Sequence, residues 1–214
     1  MITFYIIRHG ETLLNSLNRA QGWSDSPLTD NGIKTAKELG FKLKDIIFNA
    51  AYTSDMSRAE QTAKLILSTN QNNNIIPQKD VRLREWCLGS MEAEHNSTFV
   101  QTVSDWLGGV TSFVELNKRL PDVAMAIYKH DTTGTAESFS DISNRLKNVF
   151  FDIVNNKSLS QNSNVLVVTH AFTIKTLLYM FAPEMLSTVE KLKNVDISKL
   201  LYDGKTFVFA KTDY

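Results

Sequence analysis

Two histidines in this chain stand at the carboxyl ends of short apolar runs. ITFYIIRHGET carries Arg8 and His9 to Gly10, and NVLVVTH closes on His170. An imidazole serves as nucleophile or proton carrier near neutral pH, and an arginine beside it offers a planar, permanently charged fork that suits phosphate oxygens better than a lysine would. A third run, AAYTS, leads into SDMSRAEQTAKLIL, which puts Arg58 in or near the first turn of a helix. Ser54 is the expected N-cap there, and Ser57 with Glu60 has capping-box spacing. After His170, residues Ala171, Ile174, Leu177 and Leu178 fall at helical spacing, so His170 sits at or just before a helix start, where unpaired amides attract anions.

The elements that must position these residues are strands buried on both sides. Phe4 to Ile7 and Val165 to Val168 are apolar at successive positions, the mark of a strand covered by helices on each face. Ligands bind such sheets at the carboxyl ends of the strands, which is where Arg8, His9, Arg58 and His170 fall. Composition sets the frame: 214 residues, 43% hydrophobic and 21% charged, describe an ordinary globular chain with one good core. Lys+Arg and Asp+Glu both number 23, so net charge argues for neither a nucleic-acid nor a membrane partner. A single cysteine, Cys87, excludes an intramolecular disulfide. The first apolar run is too short and wrongly flanked for a signal peptide, and nothing reaches the length of a membrane span, so a cytoplasmic setting is expected.

Elsewhere, Asn31 to Phe48 has helical periodicity through Ala36, Leu39, Leu43 and Ile47, entered from a turn at Asp30. NQNNNIIPQ starts as a polar loop and becomes a short strand. Gly89 to about Gly134, with Phe99, Trp106 and Phe113 and with Pro121 as a break, reads as a mostly helical insertion over the sheet edge. Glu137 to Asn155 is a further helix with Phe139, Ile142, Leu146, Val149 and Phe150 inward, and the chain ends in a hairpin around Asp203 and Gly204. No repeat or linker divides the sequence, so residues 1–214 are expected to form one domain with a cap-like insertion at about 89–134.

RHGET with Asn15 beyond it, then RAQGW from Arg19 to Trp23, Asp25, Pro27 to Thr29 and Gly32, resembles the N-terminal motif of the histidine phosphatase superfamily, the phosphoglycerate mutase-like fold. TSDMSRAEQTA resembles its second motif, LREWCLGSMEA supplies Glu85 at the place of its acid, and VVTHA supplies its second histidine. The resemblance implies a three-layer α/β/α sandwich with a mostly parallel central sheet and a small helical cap. It implies a phosphohistidine on His9, a clamp of Arg8, Arg58 and His170, and Glu85 as general acid. Asn15 and backbone amides near Gln21, Gly22 and Ala171 would complete the phosphate site. Two histidines and a glutamate also suggest zinc, but the adjacent arginines argue against a dication, so no metal and no cofactor are expected.

The family's His-Gly, Trp-Glu-Gly and Gly-Glu-Ser appear here as His170-Ala171, Met91-Glu92-Ala93 and Ala136-Glu137-Ser138. An alanine at any of these positions is strained if the backbone there requires positive φ. The residues after Glu85, Trp86 to Met91, resemble the phosphatase branch rather than the mutases, and beyond them only Lys118, Arg119 and Lys129 stand out as cations. The expectation is a metal-independent phosphomonoesterase acting on a small phosphorylated substrate, as a monomer or homodimer. The alternatives are a phosphoglycerate mutase and a non-catalytic phosphate-binding or regulatory module. His95 and His130 are expected to be structural, and Trp23 and Trp86 either line a pocket or pack.

Overall fold

The structure, a computed structural model, describes residues 1–70, 74–109, 113–187 and 192–210. Six strands, β1 (Ile2–Arg8), β2 (Ala50–Thr53), β3 (Gln78–Lys79), β4 (Asn164–Thr169), β5 (Ile197–Tyr202) and β6 (Phe207–Phe209), form one sheet in the order β3-β2-β4-β1-β5-β6. The pairs from β3 to β1 are parallel, and β5 and β6 add an antiparallel hairpin at the other edge. Asp203 holds its turn by accepting from the Lys205 and Thr206 amides, beside Gly204 at φ +106°.

Alternation along the strands divides the core between two faces. Phe4, Ile6, Val165 and Val167 point into one cluster, and Tyr5, Ile7, Leu166 and Val168 into the other. The second face is covered by α2 (Asp30–Lys42) and α3 (Ser57–Ser68), through Leu39, Ala59, Ala63 and Ile66. The first is covered by α7 (Phe139–Val154) and α8 (Ala171–Phe181), through Ile142, Leu146, Ile174 and Leu177. This is the expected three-layer arrangement. Between Gly89 and Gly134 lie α4 (Asn96–Trp106), α5 (Phe113–Lys118) and α6 (Leu120–His130), and Phe99, Val103, Leu120, Val123 and Ile127 join the first cluster. A short α1 (Leu13–Ser16) follows β1.

Several local expectations need correction. Helix α3 takes Met56, not Ser54, as its N-cap, because the Ser54 hydroxyl instead accepts from the Met56 amide. Ser57 and Glu60 form no capping box: Ser57 bonds Asp25, and Glu60 pairs with Lys64 and Lys79. Helix α2 is capped by Thr29 and stops at Lys42, leaving Ile47 exposed. Pro121 opens α6 rather than breaking a helix, since its missing N–H costs nothing in a first turn. The strand expected in NQNNNIIPQ is only Gln78–Lys79, with Gln71 to Asn73 outside the described residues.

Of the three alanines that stand for family glycines, Ala136 and Ala171 have negative φ, whereas Ala93 sits at φ +60°. Left-handed backbone costs an alanine about 1–2 kcal/mol, partly offset by the entropy a glycine would lose. Ala93→Gly is therefore expected to stabilise the fold by about 1 kcal/mol and raise the thermal midpoint by about 2–4 °C in a chain of this size. A midpoint that stays level or falls in a calorimetric scan would show that the strain is absent.

Candidate functional site

The in-register parallel pairing of β1 and β4 sets Arg8 opposite Thr169, and the His9 amide donates to the Thr169 carbonyl at 2.9 Å. The next residues on the two chains are His9 and His170, whose rings stand 5.1 Å apart. His170 is the N-cap of α8, as its place before the periodic run suggests. Both imidazoles are buried.

His9 Nδ1 lies 2.8 Å from the Gly10 carbonyl oxygen, which only accepts. The proton therefore resides on Nδ1 and leaves the Nε2 lone pair open. Burial, reinforced by the Arg58 and Arg8 charges, holds His9 well below the ordinary imidazole range, so the ring is neutral at physiological pH. Burial likewise depresses His170, with Arg58 adding to it. The ring is further fixed from below, because the Gly10 amide donates to Thr62 Oγ1 at 2.9 Å, and that hydroxyl donates to the Arg58 carbonyl at 2.7 Å.

Arg58, the second residue of α3, has no exposed surface. Its guanidinium donates to the Gly22 and Ser24 carbonyls at 2.6 and 2.9 Å and to Asp25 Oδ1 at 3.0 Å. Burial lowers its pKa and Asp25 opposes the shift. The loop it grips is held from the other side by Glu92, which the sequence reading passed over. The Glu92 carboxylate accepts from the amides of Gly22, Trp23, Ser24 and Leu88 at 3.1, 2.7, 3.0 and 3.0 Å. A Cβ on Gly22 would stand 2.4 Å from the Trp86 carbonyl oxygen, so only glycine passes there.

Glu85 is buried, and its carboxylate caps α8 by accepting from the amides of Phe172 and Thr173, both at 2.9 Å, and from its neighbour Trp86 at 3.1 Å. Burial raises its pKa above the usual carboxylate range, against the pull of those amides. Its backbone is braced from two sides: Trp23 Nε1 and an Arg145 N–H each donate to the Glu85 carbonyl at 2.9 Å.

A cavity of about 630 Å³ opens over this cluster, the size of a small-molecule site. Arg8, His9, Asn15, Gln21, Glu85 and Ala171 are on its wall. Arg58 and His170 are fully buried and are not on that wall. Four buried nitrogens of this cluster have no partner among the described residues: Nε of Arg8, Nε of Arg58, and both ring nitrogens of His170. Asn15 Oδ1 accepts from the Thr12 amide and from Asn194 Nδ2, which also donates to the His9 carbonyl at 2.9 Å. Gly22 departs from expectation: it is off the wall, and its amide is spent on Glu92.

Trp86 is a packing residue, buried and stacked on Phe172, with Nε1 donating to Thr176. Trp23 is partly exposed beneath the Arg84 guanidinium. His95 accepts from Arg19, and His130 stacks on Trp106. Besides Glu92, sequence reading missed Asn194 and Lys175, which also lines the cavity. Lys175 carried a signal: it is a lone charged residue in the otherwise apolar and neutral run AFTIKTLLYMF.

The family model of the histidine phosphatase superfamily (branch 1) matches residues 4–213, and the chain belongs to that superfamily. The Probable phosphoglycerate mutase GpmB of Erwinia tasmaniensis is 28% identical over 202 residues, covering 94% of this chain and 85% of its own length. Among solved structures, a phosphoglycerate mutase from Bacillus anthracis is 36% identical with a TM-score of 0.88, over 99% of this chain and 92% of the other. A phosphoserine phosphatase from Entamoeba histolytica, in complex with 3-phosphoglyceric acid, is 26% identical with a TM-score of 0.70, over 100% and 98%.

The Nε–H groups of Arg8 and Arg58 and the single N–H of the neutral His170 ring are unpaired buried donors, each costing about 1–3 kcal/mol, a penalty that an oxyanion relieves. Inorganic phosphate is therefore expected to raise the thermal midpoint saturably, by an amount corresponding to about 2.7 kcal/mol at a hundredfold excess over Kd. The measurement is thermal unfolding in phosphate against chloride at matched ionic strength. Identical midpoints in the two salts would show that the four nitrogens do not form an anion site.

Proposed function

We propose that this chain is a metal-independent phosphomonoesterase that works through a phosphohistidine on His9. The observation that carries the proposal is that His9, with Nδ1 against the Gly10 carbonyl and its ring 5.1 Å from that of His170, feels the charges of Arg58 and Arg8, while Arg8, Arg58 and His170 keep unpartnered nitrogens and Glu85 is on the cavity wall with His9.

In the first step the His9 Nε2 lone pair attacks phosphorus and the bond to the ester oxygen breaks. The departing alkoxide takes the proton of Glu85, whose pKa burial shifts upward, toward the protonated form. In the second step water attacks the phosphohistidine while the Glu85 carboxylate accepts its proton. The N–P bond breaks, and inorganic phosphate leaves with His9 returned to its starting tautomer. The negative charge on the equatorial oxygens is held throughout by Arg8, Arg58, His170 and Asn15, with the Gln21 and Ala171 backbone beside them. These groups supply the compensation that a metal would otherwise give. The sign of the pH dependence follows. Protonation of His9 removes the nucleophile, and its depressed pKa moves that acidic loss well below pH 6.5. Deprotonation of Glu85 slows esters with poor leaving groups as pH rises.

Mutase action is the second reading, favoured by the names of the Bacillus anthracis and Erwinia tasmaniensis relatives. A mutase must shelter its phosphoenzyme from water until the phosphoryl group returns. Among the described residues, the segment between Gly89 and Gly134 adds no cation to the cavity wall, since Lys118, Arg119 and Lys129 are off it and Arg119 is paired with Asp122, so the cations on the wall are Arg8, Arg19 and Lys175. This favours water as the acceptor. Purified protein is expected to release inorganic phosphate from simple monoesters with no 2,3-bisphosphoglycerate present, and to interconvert 2- and 3-phosphoglycerate far more slowly. Isomerisation that outpaces phosphate release and is accelerated by the bisphosphate would replace hydrolysis with mutase action. Tight phosphate binding without turnover of either kind would point to a binding module.

A further inference from the structure

Lys175 is a cation that the phosphoryl-transfer scheme does not use. It lies on α8, four residues beyond Ala171, on the wall of the cavity, yet only 7% of it is exposed. Its ammonium donates to Asn117 Oδ1 of α5 at 2.7 Å and stands 5.5 Å from the centre of the Phe172 ring. No carboxylate forms an ion pair with it among the described residues. A lysine ammonium has three donors, so a neutral amide oxygen and an aromatic face leave it under-compensated. Burial lowers its pKa to about 8, with Glu85 opposing the shift and Arg8 adding to it, so it remains protonated at neutral pH.

Position separates this charge from the phosphate site. The unpartnered nitrogens of Arg8, Arg58 and His170 gather at the carboxyl ends of β1 and β4 and the start of α3. Lys175 instead belongs to the second turn of α8, where that helix meets α5. Leu88, Phe99, Val100, Val114, Phe172 and Leu192 give the cavity an apolar part, and Asn18, Arg19, Gln21 and Asn96 a polar one. A cavity of this size has room beyond His9 for the rest of a phosphomonoester, and Lys175 is on the same wall.

We infer that Lys175 is a specificity determinant which binds a second anionic group, carboxylate or phosphate, on the leaving-group portion of the substrate, so that the preferred substrates are phosphomonoesters whose alcohol is itself anionic. The inference rests on the proposed phosphomonoesterase activity for its substrate assignment, and on the cavity alone for its binding site.

The test compares kcat/KM for matched esters: an aryl phosphate bearing a carboxylate against the same compound as its carboxamide, and a diol bisphosphate against the corresponding monophosphate. A charge-assisted contact at a desolvated site corresponds to about 10- to 100-fold in this ratio. The wild-type protein is expected to favour at least one anionic member by that factor, and which pair shows it identifies the group. Lys175→Met, similar in length and uncharged, is expected to bring the favoured ratio to about one, while Lys175→Arg retains most of it. A wild-type ratio near one in both pairs, or a Lys175→Met ratio equal to wild type, overturns the assignment. Failure of the hydrolase reading is separable. If no ester releases phosphate, calorimetry with the His9→Ala protein measures binding of the same pairs. Preferential binding of an anionic member that Lys175→Met removes upholds the site, and equal binding within both pairs overturns it.

Discussion

The parallel pairing of β1 with β4 ties two imidazoles together through the sheet itself. Thr3 to Arg8 run beside Asn164 to Thr169 without a bulge, and the His9 amide continues the ladder onto the Thr169 carbonyl. A slip of one residue would turn Phe4, Ile6, Val165 and Val167 toward the opposite face and exchange the two cores. Register is thus enforced by burial along the strands, and the separation of His9 from His170 follows from it. The same logic extends to β2, whose Thr53 pairs with Val168 and whose following helix delivers Arg58. Three strand ends therefore converge because hydrophobic alternation leaves them no other alignment.

What the sheet brings together, electrostatics would drive apart. Arg8 and Arg58 are desolvated beside two neutral histidines, and each arginine's pKa is lowered chiefly by burial. The surrounding loops exist to make this tolerable. Asp25 pairs with Arg58, Glu92 organises the backbone whose carbonyls accept from it, and Arg145 gathers the carbonyls of Arg82, Arg84 and Glu85 while paired with Glu137. Compensation is incomplete: the Nε atoms of both arginines and the His170 ring have no partner among the described residues. Glu85 feels the opposite pressure, since burial favours its proton while the α8 amides favour its charge, and a group so balanced can lose and regain a proton during a reaction cycle.

The strands, their layers and the placement of Arg8, His9, Arg58 and His170 were legible in the sequence because each depends on local pattern: apolar runs of fixed period, followed at once by polar chemistry. The positions of Glu92, Asn194 and Lys175 were not, since their partners lie far along the chain. Glu92 serves Gly22 to Ser24, Asn194 serves His9 and Asn15, and Lys175 meets Asn117. The Gly22 amide was misassigned for the same reason, because a glycine in a family motif signals close approach without saying what approaches. The Ser54 cap failed on competition, a hydroxyl satisfying an amide two residues on, one residue before the helix begins. Of the three alanines at family glycine positions, Ala93 alone has left-handed backbone, because φ is set by the turn around it and not by composition.

The central claim is that phosphorus becomes bonded to His9 during turnover, and rapid quench of the protein with a radiolabelled phosphomonoester tests it most directly. A burst of covalent label is expected that is stable in base and labile in acid, maps to the peptide containing His9, and is absent from His9→Ala. Phosphate release at the full steady-state rate with no label on any histidine, or with label on another residue, would contradict it.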